Sequence, residues 1–185
     1  MQDLHVYVVT GPTAVGKGTV IAALREQFPD IWYSVSATTR APRPGEIEGQ
    51  SYYFVSDAEF DELVASGKML EWALVHGMHR YGTPRDPVLA AAAAGKPVLL
   101  ELDLAGSRQV RASLPEAVHI FIAPPSWEEL VRRLQGRGTE DAAEQARRLE
   151  TARAEMAAID EFDVVVVNNT VAQATKELAA AMKLA

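Results

Sequence analysis

The chain contains no cysteine. Disulfides, thiolate metal centres and cysteine nucleophiles are therefore excluded, and any chemistry must come from oxygen and nitrogen groups. Long apolar runs are missing too. No stretch approaches the ~20 residues needed to span a bilayer, so no membrane partner is expected. The first hydrophobic run has no basic segment ahead of it and is cut short at Gly11 and Pro12, which does not fit a secretory leader. A cytoplasmic protein is the default expectation. Positive charge is also in deficit, with 18 Lys and Arg against 25 Asp and Glu and a net charge of −7. That balance argues against nonspecific binding to DNA or RNA, so no nucleic-acid partner is expected. An acidic chain that grips an anion must gather its arginines locally, and their positions carry information.

What the chain does have is a phosphate-binding signature near its start. The apolar pattern of Leu4, Val6, Val8 and Val9 runs straight into Gly11-Pro12-Thr13-Ala14-Val15-Gly16-Lys17-Gly18-Thr19, and a helical pattern follows. This is Gly-x-x-x-x-Gly-Lys in the strand–loop–helix context that gives the motif its meaning. Glycines let the loop wrap tightly, so that backbone N–H groups point at phosphate oxygens. The helix that follows adds its positive N-terminal end. Lys17 brings a mobile charge to the β- and γ-phosphates of a nucleoside triphosphate. One detail departs from the usual pattern: Gly18 stands where a Ser or Thr ordinarily ligates magnesium. Thr19 is placed to bond a phosphate, and Mg2+ is expected to be held mainly by phosphate oxygens and water, near Thr19 and Asp103. The same Lys-Gly-Thr ending occurs in adenylate-kinase-like enzymes.

With 185 residues, the chain suffices for one domain with a real core. Buried-strand runs at 97–102, 117–122 and 163–167 alternate with helical patterns at 17–27, 87–94, 105–113, 126–135, 140–159 and 171–184. The alternation predicts an α/β fold, a central parallel sheet flanked by helices. A short strand is expected at 33–36. Ser126 and Thr170, each three residues ahead of a Glu or Gln, open two of the helices. Two segments break the alternation. Residues 37–83 are aromatic, polar and turn-rich. They carry a helix at 57–65, capped by Ser56 and Glu59, and strands at 52–55, 70–75 and 80–83, which suggests a small mixed lobe. Residues 136–147 are rich in Gly, Thr and charge and suit a lid. The expected layout is one domain over 1–185, with a core of 1–36, 84–135 and 148–185. His76 and His79 are spaced like metal ligands, but no third ligand is evident near them in the sequence.

Arg40 and Arg43 lie three apart in a proline-limited turn, Ser34-Val35-Ser36-Ala37-Thr38-Thr39-Arg40-Ala41-Pro42-Arg43-Pro44-Gly45-Glu46, and can converge on one anion such as a monophosphate. This stretch, the loop from Gly11, Leu-Glu-Trp-Ala from Leu70, Tyr-Gly-Thr from Tyr81 and Glu-Leu-Asp-Leu-Ala-Gly from Glu101 resemble the guanylate kinase family. So do Ala-Pro-Pro-Ser from Ala123, Arg-Leu-Gln-Gly-Arg-Gly-Thr-Glu from Arg133 and Val-Val-Asn from Val166. In order and spacing the matches cover nearly the whole chain.

The resemblance implies a P-loop kinase with an inserted GMP-binding lobe and a short lid, transferring the ATP γ-phosphoryl group to GMP or dGMP. It assigns the acceptor phosphate to Arg40, Arg43, Tyr52 and Tyr81. Glu71 matches the carboxylate that reads guanine, whose adjacent ring N–H and amino donors one carboxylate can accept together. Adenine lacks that pair of donors. Ser36 and Thr83 match small hydroxyls near the base, and Glu101 takes a place where some relatives carry aspartate. Asp103, two residues on, shares its strand face and is expected near the phosphates or the metal's water shell. A helix cap is the competing role for Asp103. Arg133, Arg137 and Arg148 match arginines of the lid and its flanking helices, and Asn168 falls where the family contacts the adenosine end of ATP. Two other readings stay open on sequence. One is a catalytically silent module of the same fold that binds phosphorylated proteins, and the other is a P-loop kinase for a different phosphorylated acceptor. Intact Lys17, Gly16, Arg137 and Arg148 oppose the first, and Glu71 with Ser36 and Thr83 opposes the second.

Overall fold

A computed structural model of the chain describes residues 4–136 and 141–184. Its centre is a five-stranded, all-parallel sheet in the order β2-β7-β1-β8-β9. The strands are β1 (Val6–Thr10), β2 (Trp32–Tyr33), β7 (Val98–Glu101), β8 (Val118–Ala123) and β9 (Val164–Val167). β1 is buried along its whole length, as expected of a middle strand covered on both faces. Helices α1 (Lys17–Gln27) and α7 (Val171–Ala181) pack on one face with α5 (Trp127–Gln135) and α6 (Ala142–Ala157), around Tyr7, Val9, Leu24, Ile120 and Leu178. Helices α3 (Arg85–Ala93) and α4 (Leu104–Ser113) cover the other, around Val6, Val8, Leu100 and Val110. No helix among the described residues is long and apolar enough to cross a membrane.

A second, four-stranded sheet of order β4-β3-β6-β5 comprises β3 (Ala37–Thr38), β4 (Tyr53–Phe54), β5 (Met69–Val75) and β6 (His79–Pro84). Helix α2 (Asp57–Ala65) lies against it through Phe60. The capping box read from Ser56 and Glu59 is present in full. Strand β5 forms the edge, and α4 fastens it there. The Gln109 side-chain amide bonds both the Trp72 N–H and the Trp72 C=O, each at 3.0 Å, and Ser113 Oγ donates to the Leu70 carbonyl at 2.6 Å.

Several boundaries differ from the sequence reading for identifiable reasons. The strand expected at 33–36 sits at Trp32–Tyr33, because the chain then leaves the first sheet to feed the second. The two-residue strand β3 was not anticipated; it is too short for a period to show. Helix α3 opens two residues before the expected Pro87, since proline is tolerated in a first turn where its missing N–H is not needed. Helix α6 starts at Ala142 under an Asp141 cap.

His119 on β8 is fully buried. Its Nδ1 lies 2.7 Å from Ser107 Oγ, and its Nε2 has no hydrogen-bond partner among the described residues. Burial, helped by the Arg111 charge and opposed by Asp163, pushes its pKa down to about 4. A histidine held neutral in this way contributes stability that is complete above its unfolded value near 6.5 and is lost as pH falls toward 4. Denaturant unfolding across that window should show stability declining with acid, and His119→Asn should flatten the decline.

Candidate functional site

The loop between β1 and α1 is shaped by residues that no ordinary side chain could replace. A Cβ on Gly11 would sit 2.5 Å from the Ile122 carbonyl oxygen. Gly16 has φ 91°, and a Cβ there would meet the Asn168 amide at 2.7 Å. Ala14 also takes a left-handed backbone, with φ 68°. Between them the buried Val15 points its carbonyl inward, where Asn168 Nδ2 donates at 2.8 Å and an Arg133 Nη donates at 3.2 Å. Two distant segments therefore fix one peptide of the loop. Helix α1 opens at Gly16 with no side-chain cap and no acidic residue in its first turn. The N-termini of α2, α4, α5, α6 and α7 are each capped by their own Ser, Asp or Thr. The free N–H groups of α1 are what an anion needs.

Of the motif residues, Thr13, Gly18 and Thr19 are exposed, Gly11, Pro12 and Val15 buried, and Ala14, Gly16 and Lys17 half-buried. Lys17 Nζ stands 3.9 Å from Glu101 Oε1 at the end of β7. The other Glu101 oxygen accepts from the Tyr33 hydroxyl at 2.7 Å. Burial and this carboxylate push the Tyr33 phenol well above its ordinary value, which keeps it a donor. Asp103 is exposed and caps α4, with Oδ1 accepting from the Gly106 N–H at 2.7 Å. The capping role weighed for it is thus present, with its second oxygen left over.

A second group lies on the four-stranded sheet. Glu71 of β5 faces Thr83 of β6 in register. Glu71 is 8% exposed, and Thr83 Oγ1 donates to it at 2.6 Å. Burial raises the Glu71 pKa. The Thr83 bond opposes this, and the Asp103 charge adds to it. Tyr81, two residues before Thr83 on β6, shares its strand face at roughly 7 Å along the strand. Its hydroxyl accepts from Arg40 Nε at 3.1 Å. The Tyr52 ring lies edge-on to Tyr81 and under the Arg40 guanidinium. Ser36 is half-buried beside β3, and Arg43 is exposed.

The arginines expected at the lid and its flanking helices are less gathered among the described residues. Arg133 reaches the loop carbonyl and Glu129. Arg148 bonds Glu144 on its own helix, and Arg137 lies outside the described residues. Asn168 is buried and its amide N–H is engaged by Val15, so it supports the loop from below. This support of the loop is a role additional to the contact with the adenosine end of ATP that the family resemblance implies.

Three polar residues in the site were not singled out from sequence. Tyr33 looked like a strand residue. Glu46 closed a motif but had no assigned partner. Glu155 looked like one acid among many on α6, yet it is 8% exposed, with no hydrogen-bond partner for Oε2 among the described residues. Burial raises its pKa; the Lys17 charge opposes this and the Asp103 charge adds to it.

A glycine-shaped loop with an uncapped helix start, at the carboxyl edge of a parallel sheet, defines a P-loop kinase fold. The guanylate kinase family model matches residues 3–185. A guanylate kinase of Leifsonia xyli subsp. xyli is 64% identical over 94% of this chain and 68% of its own length. One from Thermobifida fusca is 60% identical over 97% and 91%. The crystal structure of guanylate kinase from Anaplasma phagocytophilum superposes with TM-score 0.71 at 32% identity, covering 99% of this chain and 87% of that one. Shikimate kinase from Bacteroides thetaiotaomicron shares the fold at TM-score 0.51 and 14% identity, over 97% and 99%. The chain belongs to the guanylate kinase family.

Removing the Asn168 amide would leave the Val15 carbonyl one donor short, a loss of about 1–3 kcal/mol. Asn168→Ala should weaken ATP binding and leave GMP binding alone, as titration calorimetry with each nucleotide separately will show.

Proposed function

We propose that the chain transfers the γ-phosphoryl group of ATP to GMP, giving ADP and GDP. The observation that carries this reading is Glu71. A carboxylate kept 8% exposed beside Thr83 suits adjacent N–H donors of a guanine, and Tyr81, two residues before Thr83 on β6, holds Arg40 beside it as a candidate phosphate ligand. Family membership and the names of the relatives support the same conclusion.

In this reading the loop from Gly11 to Thr19 holds the ATP phosphates through its N–H groups, and Lys17 moves from Glu101 toward the β- and γ-oxygens. Arg40, Arg43, Tyr52 and Tyr81 hold the acceptor phosphate, while Glu71, Ser36 and Thr83 hold the base. Glu101 and Asp103 flank the space between the two nucleotides. An oxygen of the GMP phosphate attacks the γ-phosphorus, and the bond to the bridging oxygen breaks in line, leaving ADP with that electron pair. The nucleophile is already an anion, so no general base is needed. Positioning and charge carry the catalysis. Arg133, Arg137 and Arg148 supply positive charge from the lid side, and Arg133 also steadies Val15. Asn168 acts on ATP through Val15. The proposed layout keeps residues 37–83 as the GMP lobe and 136–147 as the lid. Magnesium fits as a guest of the triphosphate: Gly18 offers no hydroxyl, and the described residues contain no cluster of three His, Asp or Glu suited to a metal. Thr19 and Asp103 are the residues nearest to serving its water shell. When bound, it neutralises charge on the β- and γ-phosphates.

A coupled ADP-release assay should show fast turnover with GMP and little with AMP, UMP, CMP or dTMP. Activity spread evenly over the five, or absent from folded protein that binds GMP, would defeat the reading. The raised Glu71 pKa gives a second check. As pH falls through it, the carboxyl gains a proton and loses an acceptor that guanine needs, so KM for GMP should climb at a pH above the usual carboxylate range while KM for ATP stays level. Glu71→Gln should lose GMP use at all pH values. Its stability at neutral pH should not fall, since the buried charge is gone.

A further inference from the structure

Arg40 holds an unusual number of fixed bonds for a residue proposed to grip a phosphate. A guanidinium has five N–H groups. Nη1 and Nη2 bond the two oxygens of Glu46 at 2.9 and 2.8 Å, side by side. The second Nη1 hydrogen goes to the Ala41 carbonyl at 2.8 Å, and Nε goes to the Tyr81 hydroxyl at 3.1 Å. Among the described residues one N–H remains without a partner, on the Nη2 side that shares an edge with Nε. That edge is the one Tyr81 occupies. Because the Tyr81 oxygen accepts from Arg40, its own proton is free to donate onward. The Tyr52 and Phe54 rings fix the guanidinium face at 5.3 and 6.0 Å.

We propose that Glu46 is a positioning residue for the acceptor phosphate: it holds Arg40 by its far edge, so that the near edge and the Tyr81 hydroxyl face the phosphate together. The proposal rests on the reading of Arg40 as a phosphate ligand. Glu46 also organises the loop that carries Arg43. Its Oε2 accepts from the Arg43 N–H at 2.7 Å, and its own N–H donates to the Arg43 carbonyl at 3.1 Å. Gly45, at φ 87°, supplies the left-handed residue the turn requires. One carboxylate thus sets the backbone of one arginine and the side chain of the other. The Arg40 and Arg43 bonds pull the Glu46 pKa down to about 2, so the clamp stays charged at any pH at which the fold is useful. In charge terms, Arg40 and Arg43 bring two positives and Glu46 removes one. The acceptor phosphate then meets one net positive charge and keeps an electron-rich oxygen for attack.

The alternative is that Glu46 is a resident anion that the GMP phosphate must displace, and the two roles predict opposite signs. Glu46→Gln replaces one accepting oxygen with an amino group that faces Arg40. KM and Kd for GMP should rise about tenfold, with KM for ATP unchanged and kcat reduced much less. Glu46→Asp, which keeps the charge but shortens the reach, should fall between Glu46→Gln and the natural protein. In an Arg40→Ala background, Glu46→Gln should cost much less than in the natural protein, because the clamp on Arg40 is already gone and only the bond to the Arg43 N–H is left to disturb. Tighter GMP binding by Glu46→Gln, or equal effects in both backgrounds, would overturn the positioning role. An Arg40→Ala variant with normal KM for GMP would instead overturn the reading of Arg40, whatever Glu46 does.

Discussion

One inward-turned peptide holds the site together. The Val15 carbonyl points away from solvent and is caught by Asn168 from the end of β9 and Arg133 from α5. With that peptide fixed, Ala14 and Gly16 can keep left-handed conformations that a free loop would relax from. The N–H groups at the start of α1 then stay open. Side-chain hydrogen bonding of the kind that closes the starts of α2, α4, α5, α6 and α7 is here directed below the loop, which leaves its upper side for an anion. The parallel sheet matters because it brings the ends of β1, β7 and β9 to one edge, where these contacts meet Lys17 and Glu101.

The acidity of the chain gains a structural meaning from these contacts. Cations of the site stand beside carboxylates: Lys17 near Glu101, Arg40 on Glu46, Arg133 on Glu129 and Arg148 on Glu144. Such pairs add little to stability where water reaches them. They do hold long side chains in defined directions. Glu71 and Glu155 are different, because burial makes ionisation costly for both.

Much of this was legible in the sequence where a signal had a period or a motif. Helix α1 and helix α2 begin and end where caps and prolines placed them, and the parallel strands followed from nearly continuous apolar runs. The Gly-x-x-x-x-Gly-Lys loop was also readable, and the family resemblance pointed to Glu71 and Thr83 separately, though not to the bond between them. Strand β3 was not, because two residues carry no period. Nor was the inward role of Asn168, because a polar residue after a strand looks the same whether its amide faces solvent or a buried carbonyl. Glu46, Tyr33 and Glu155 escaped for a related reason: their meaning lies in a partner 6, 68 or more than 100 positions away, and sequence alone does not say which acid meets which base.

The grip of Gln109 on Trp72 ends the small sheet as a fifth strand would, but without offering a further edge. A primary amide reproduces one peptide unit, accepting from the Trp72 N–H and donating to its C=O. Its one further N–H belongs to no strand and so continues no ladder. At that point the edge of β5 is closed to another strand, which is how exposed sheets avoid pairing with their own copies. The same clasp belongs to α4, whose first residues follow Asp103. The helix that begins beside the phosphate edge of the large sheet thus ends the hydrogen-bonded growth of the small one.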